Sequence, residues 1–154
     1  RTQRMGADVG IRYQLAKKLF FDTDFTYTYA RSVDEPKGEN YIPLAPAVTL
    51  TSGLSFNDAN GFSGSLKSRF LGNRPANEDY SIEAKGYFVT DMNINYTVKC
   101  FTFGVAIDNI FNTQWNETQF ATESRLRNEL NSVEEIHFTP GTPFAARGIV
   151  SIKF

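Results

Sequence analysis

Uncharged residues recur at every second position near the end of this chain, and this pattern limits the fold more than any other feature. In residues 144–154 the uncharged series is Phe144, Ala146, Gly148, Val150, Ile152 and Phe154. The residues between its members include Arg147 and Lys153. A period of two is the period of a β-strand, because successive side chains point to opposite faces. Since about 9–11 tilted strand residues cross a bilayer, the stretch predicts a transmembrane β-strand.

The same alternation predicts seven strands, which cover residues 4–15, 19–30, 47–56, 62–71, 87–98, 101–110 and 143–154. Short turns at 16–18, 57–61 and 99–100 alternate with long outer loops at 31–46, 72–86 and 111–142. Antiparallel neighbours joined in this order place the short turns at one rim and the long loops at the other. That arrangement is typical of an antiparallel up-and-down transmembrane β-barrel. A soluble β-sandwich or a lipocalin-like barrel also alternates and is the competing all-β interpretation.

Composition excludes some other classes. The sixteen Lys and Arg residues are balanced by seventeen Asp and Glu residues, so no basic surface for nucleic acid is expected. The sequence contains no run of 18 apolar residues, so no membrane helix is predicted, and residues 1–20 show no signal-peptide pattern. Bacterial single-chain barrels have an even strand number. Seven strands therefore indicate either a further strand within 111–142 or a piece of a larger barrel, and the abrupt start of the alternation favours the piece.

Three segments carry a resemblance to a known family. They are Asp108-Asn109-Ile110-Phe111-Asn112, Tyr41-Ile42-Pro43-Leu44-Ala45-Pro46, and the ending from His137 to Phe144 with the strand that follows it. With them the chain resembles the C-terminal barrel region of TonB-dependent receptors, and the ending is similar to receptors of Bacteroidota-type bacteria. The resemblance implies a barrel of about 22 strands in the Gram-negative outer membrane, of which residues 1–154 would be the C-terminal portion.

The resemblance also implies a function and partners. We expect an active transporter for a scarce nutrient, first a ferric siderophore, then haem, cobalamin or a glycan. A passive porin or an adhesin-like surface-binding barrel is the alternative. The expected partners are membrane lipid, the rest of the barrel with its N-terminal plug, TonB, the barrel assembly machinery, the small-molecule substrate and a surface lipoprotein. The aromatic end residue Phe154 is expected to be the assembly signal.

No catalytic or metal-binding pattern is present in the sequence, so we expect neither an enzyme nor a cofactor. The one histidine, His137, has no second His and no Cys at metal-ligand spacing, and we interpret it as a loop residue near the rim. Ser124 and Ser132 have no paired base and are interpreted as solvated residues.

Candidate ligand-binding residues are taken from the outer rim and its loops. Charged and amide side chains on the polar faces are expected to point into the lumen, where most pair across strands or contact the plug. Strand direction places Arg69, Tyr87 and Arg147 at the outer rim, and the longest loop adds Trp115, Arg125 and Arg127. Residues 123–130 of that loop have a helical composition, with Thr122 or Asn116 as the cap. The loop is expected either to cover the mouth or to bind substrate.

Overall fold

The computed structural model describes the backbone of residues 1–154 and every side chain except those of residues 58 and 59. Seven antiparallel strands form one sheet, in the order β1-β2-β3-β4-β7-β8-β11. Their bounds are β1 Thr2–Ala16, β2 Leu19–Ser32, β3 Val48–Ala59, β4 Phe62–Leu71, β7 Tyr87–Val98, β8 Phe101–Asp108 and β11 Ala145–Ile152. Each of the seven predicted stretches coincides with one of these strands to within a few residues, and the all-β antiparallel fold is confirmed.

Register places the apolar residues of neighbouring strands side by side. Phe25 of β2 lies opposite Val9 of β1 and opposite Leu50 of β3. Farther along the sheet, Val105 of β8 pairs with Ile94 of β7 and with Gly148 of β11. One face of the sheet is therefore apolar from the first strand to the last.

This apolar face is not covered by the chain itself. Val9 is 51% exposed, Phe103 is 49% exposed and Val105 is 49% exposed, whereas the buried apolar residues are only Ala30, Ala76, Ala84 and Val89 among the described side chains. A water-soluble domain of this size buries its large apolar side chains in a core. No helix among the described residues is long and apolar enough to cross a membrane.

The segments that connect consecutive strands are short at one rim of the sheet and long at the other. Short turns join β1 to β2, β3 to β4 and β7 to β8, and the last of them uses Lys99 with a φ of 53°. The opposite rim carries three long excursions. The first spans 33–47 and the second spans 72–86. In the second excursion, β5 (Arg74–Pro75) pairs with β6 (Glu83–Ala84). Loop 72–86 therefore contains two short strands that the sequence pattern did not predict.

The third excursion corrects a prediction. The segment 111–142 shows no strand pattern in the sequence and is predicted to contain a short helix at 123–130, but it forms an antiparallel hairpin of β9 (Asn116–Ser124) and β10 (Val133–Pro140), outside the main sheet. Thr122 and Asn116, the expected helix caps, are residues of β9. Eight residues are too few for a stable isolated helix, whereas pairing of Ala121 with Ile136 and of Phe120 with His137 satisfies the backbone of both strands.

Candidate functional site

The candidate site lies on the polar face of the sheet, at the rim with the long excursions. Arg69 stands near the end of β4, and Tyr87 opens the neighbouring strand β7. Trp115, immediately before β9, reaches back over this face, and its ring centroid is 4.7 Å from that of Tyr87. The guanidinium carbon of Arg69 is 5.6 Å from the indole centroid. We call Arg69, Tyr87, Trp115, Arg147 and the acidic residues beside them the rim cluster.

Both arginines of the rim cluster have acidic partners. Arg69 Nη2 lies 3.2 Å from Asp91 Oδ2, and Arg147 Nη1 lies 3.1 Å from Asp108 Oδ2. Such pairs are half exposed and contribute little to stability. Arg69 donates to Asp91 through Nη2, whereas Arg147 also donates from Nη2 to Asp108 Oδ1 at 3.3 Å, so both terminal nitrogens of Arg147 are paired. A recess of about 230 Å³ is lined by Arg69, Asp91, Asp108 and Trp115 together with Glu117 and Asn109, and Arg147 borders it only through its ion pair with Asp108.

Asn109 fixes the chain around this recess. Its side chain is 1% exposed, and it donates from Nδ2 to the carbonyl oxygens of Thr113, at 2.8 Å, and of Thr142, at 3.0 Å. Its Oδ1 accepts a hydrogen bond from the Thr113 amide at 2.8 Å. Asn109 has a φ of 51°, a left-handed conformation that asparagine tolerates better than most residues. One amide therefore joins the start and the end of the hairpin excursion.

Trp115 is held by the same segment. Its Nε1 donates to the Thr142 carbonyl at 3.0 Å, and the Gly141 amide donates to the Trp115 carbonyl at 2.8 Å. A Cβ at position 141 would lie 2.1 Å from indole Cε2, so the ring packs against a surface that only glycine provides. The sequence placed Trp115 in the site but contained no signal for this contact.

The hairpin is docked on the second excursion through Gln119, which sequence reasoning missed. Gln119 is 3% exposed, its Oε1 accepts from the Lys85 amide at 2.9 Å, and its Nε2 donates to the Lys85 carbonyl at 2.7 Å. Asn77 Nδ2 donates to Glu134 Oε2 at 3.3 Å and adds a second link. Gln119 is one of several polar residues on β9, so the sequence contains no signal for this contact.

A wider recess of about 700 Å³ lies between the three excursions and is lined by the carboxylates Glu35, Glu39, Glu78, Asp79 and Glu134 together with Tyr41. Hydrogen bonds from the backbone and hydroxyl of Ser81 lower the pKa of Asp79. Burial, followed by a hydrogen bond to Glu83, raises the pKa of Tyr80. The guanidinium of Arg31 stacks on the Tyr41 ring at 4.0 Å and connects the first excursion to β2.

The remaining sequence candidates lie elsewhere. Arg125 and Arg127 are in the turn between β9 and β10, away from the residues that line the rim recess. His137 stacks on Phe120 at a centroid distance of 5.9 Å, and its Nε2 is 3.8 Å from a Glu135 carboxylate oxygen. The described residues contain no group of three or more His, Cys, Asp or Glu side chains arranged to hold a metal ion.

Residues 1–110 match the family model described as "TonB dependent receptor-like, beta-barrel". The chain belongs to this family. Its proteins are outer-membrane receptors of Gram-negative bacteria and are transporters rather than enzymes. The exposed apolar face of the sheet is accordingly the lipid face, and the polar face with the rim cluster is turned to the barrel lumen.

Solved structures of low sequence identity share the fold. The siderophore receptor PiuA from Acinetobacter baumannii superposes with a TM-score of 0.75 at 12% identity, over 99% of this chain and 22% of that chain. The ferric-catecholate import receptor Fiu from K12 E. coli gives 0.75 at 15% identity, over 99% and 21%. The copper transporter OprC gives 0.71 at 18% identity, over 99% and 24%. The chain spans less than a quarter of the length of these structures. No curated protein matches it in sequence.

Proposed function

We propose that this chain is part of an active outer-membrane transporter that imports a scarce nutrient, with a ferric siderophore as the first candidate. The observation that carries the proposal is the rim cluster, in which Arg69, Tyr87 and Trp115 meet on the lumen side of the outer rim. Family membership supports the transport role. Haem, cobalamin and glycans are the further candidates. The solved structures of this fold include siderophore receptors and a copper transporter.

The chemistry of the rim cluster fits a metal chelate that presents flat aromatic groups and oxygen donors at its surface. The rings of Tyr87 and Trp115 offer π faces for flat groups, and the guanidinium forks of Arg69 and Arg147 can donate hydrogen bonds to carboxylate or phenolate oxygens. Asp91 and Asp108 hold these forks before the ligand arrives. Binding would then exchange part of each ion pair for ligand contacts, at little cost in ordering the side chains.

The proposal extends to the rest of the protein. Residues 1–154 would form the C-terminal portion of a barrel of about 22 strands, closed by strands outside this chain and blocked by an N-terminal plug. TonB would supply energy through a segment near that plug, and a surface lipoprotein could act as an accessory partner. The similarity of the ending to Bacteroidota-type receptors supports a source of that kind.

Uptake by the full-length receptor tests the transport role. We expect Arg69→Ala and Trp115→Ala each to raise the half-saturating concentration of a labelled ferric siderophore about 30-fold, the effect of removing a strong binding residue. Lys67→Ala is the matched control, since Lys67 lies on the same face two residues farther from the rim. Uptake that persists after loss of TonB would indicate a passive porin. Surface binding without uptake would indicate an adhesin-like barrel.

We further propose that Phe154 is read by the barrel assembly machinery. Phe154 lies beyond β11 and is fully exposed, so its removal costs no packing within the described chain. We expect deletion of Phe154 to slow insertion in an outer-membrane assembly assay, whereas Phe144→Ala, at the opposite end of the strand, should not. Equal insertion of the deletion variant and the wild type would contradict this role.

A further inference from the structure

A second recess, which we call the hairpin groove, lies between the base of the β9–β10 hairpin and residues 85–86. Its volume is about 520 Å³, and its walls include Lys85, Gln114, Trp115, Asn116, Phe138 and Pro143. Trp115 is the only residue that it shares with the recess of the rim cluster. The hairpin groove is therefore a separate site at the same rim.

Hydrogen bonds within the chain hold the walls of the hairpin groove in place. The Asn109 side chain bonds to Thr113 and Thr142. The Gln119 side chain accepts a hydrogen bond from the Lys85 backbone amide and donates one to the Lys85 backbone carbonyl. The Trp115 indole is fixed by its bond to the Thr142 carbonyl. Buried amides that support a recess in this way preorganise it, and a preorganised site loses less entropy on binding.

Three polar residues that line the hairpin groove have side chains without a hydrogen-bond partner in the described part of the chain. The side chains of Lys85, Gln114 and Asn116 form no hydrogen bond or ion pair with a described residue. An ammonium provides three donors, and each carboxamide provides both donors and an acceptor. Phe138 is 54% exposed and adds an apolar wall.

Charge distinguishes the hairpin groove from its surroundings. The three outer segments 33–47, 72–86 and 111–144 contain eleven Asp and Glu against five Lys and Arg. None of these eleven carboxylates lines the hairpin groove, and Lys85 is the single charged residue in its wall. The groove thus offers one positive charge inside an acidic mouth, which favours a monoanion and disfavours a polyanion.

We propose that the hairpin groove binds a small, hydroxylated monoanion such as a sugar acid. The carboxylate of the ligand pairs with the Lys85 ammonium, and its hydroxyl groups bond to the carboxamides of Gln114 and Asn116. The apolar side of its ring packs on Phe138. Among its lining residues, this site shares only Trp115 with the recess of the rim cluster.

Equilibrium binding to the purified full-length receptor in detergent tests this site, with D-glucuronate, D-glucose and D-glucosamine as probes. We expect glucuronate to bind about tenfold more tightly than glucose, the effect of one charge-assisted hydrogen bond, and glucosamine to bind most weakly. Lys85→Met should remove the preference for glucuronate and leave glucose binding unchanged. Lys37→Met, which changes a lysine of the first excursion outside the groove, is the matched control.

A second variant separates the groove from the rim cluster. Phe138→Ala should weaken glucuronate and glucose binding alike, by about tenfold, whereas Arg69→Ala should affect neither. The proposal is overturned if the wild type binds none of the three sugars, if Lys85→Met keeps the preference for glucuronate, or if Arg69→Ala weakens sugar binding as much as Phe138→Ala does. Loss of siderophore uptake in Arg69→Ala with intact glucuronate binding would support two sites.

Discussion

The absence of a side chain at Gly141 makes room for the indole of Trp115, and this single contact sets the position of the aromatic part of the rim cluster. The cluster depends on it because Trp115 comes from a loop, whereas Arg69 and Tyr87 belong to strands whose depth is fixed by register. Gly141, which has no side chain to contact a ligand, therefore decides whether the three groups meet.

Gly141→Ala should displace the Trp115 ring, because the new Cβ would lie 2.1 Å from indole Cε2. Overpacking of this kind costs about 1–3 kcal/mol. We expect a lower midpoint of thermal unfolding and, in the full-length receptor, loss of ligand affinity similar to that of Trp115→Ala. Gly148→Ala is the matched control, since a Cβ there has no atom within 4 Å. Equal stability and affinity in both variants would show that the ring can move without consequence.

At the level of elements, the β9–β10 hairpin is attached to the second excursion by the two side-chain hydrogen bonds of Gln119. Gln119→Ala removes both bonds to the Lys85 backbone, which are 2.9 and 2.7 Å long. The Lys85 amide and carbonyl then lack their protein partner, a change worth about 1–3 kcal/mol in local opening. We expect faster hydrogen exchange at the Lys85 amide and unchanged exchange in β7 and β8.

Gln114→Ala serves as the control for this measurement. The Gln114 side chain is exposed and forms no hydrogen bond with a described residue. Its replacement should leave exchange at Lys85 as in the wild type. Unchanged exchange in Gln119→Ala would mean that the hairpin is held chiefly by the Asn77 to Glu134 contact and by the chain on either side of it.

The sequence predicted the strands of the main sheet but not the hairpin. The physical reason is that the two kinds of strand have different surroundings. A strand between lipid and lumen has one apolar and one polar face, so its sequence alternates strongly. Strands β9 and β10 lie beyond the main sheet, and exposed residues such as Glu123, Glu135 and Phe138 occur on them without a consistent apolar face. Their pairing is determined by tertiary contacts such as those of Gln119.

The candidate site was also predictable only where it lies on the strands of the main sheet. Strand direction sufficed to place Arg69, Tyr87 and Arg147 at one rim, because depth along a strand follows from residue number. It gave no information on Arg125 and Arg127, whose distance from the rim depends on how the excursion folds. The sequence also did not predict that Asn109 holds the base of that excursion together, since its side chain bonds to Thr113 and to the distant Thr142.

At the scale of the whole molecule, the assignment of the two faces makes the sharpest prediction. Phe25 and Thr26 are neighbours in the middle of β2, and they point to lipid and to lumen respectively. Phe25→Lys should impair insertion, because a lysine on the lipid face near the bilayer midplane costs about 2–4 kcal/mol. Thr26→Lys should insert normally, since Thr26 lies opposite Asp8, whose carboxylate is on the same lumen face.

Heat-modifiable migration of the full-length receptor, measured in outer-membrane fractions, compares the two variants directly. Both replace one side chain by the same lysine, so differences in charge and in strand propensity largely cancel. A water-soluble β-sandwich that buried its apolar face would also reject the lysine at Phe25, but it would fold without detergent or lipid. Folding of the wild type in plain buffer, or equal insertion of Phe25→Lys and Thr26→Lys, would therefore contradict the membrane assignment of the face that runs from β1 to β11.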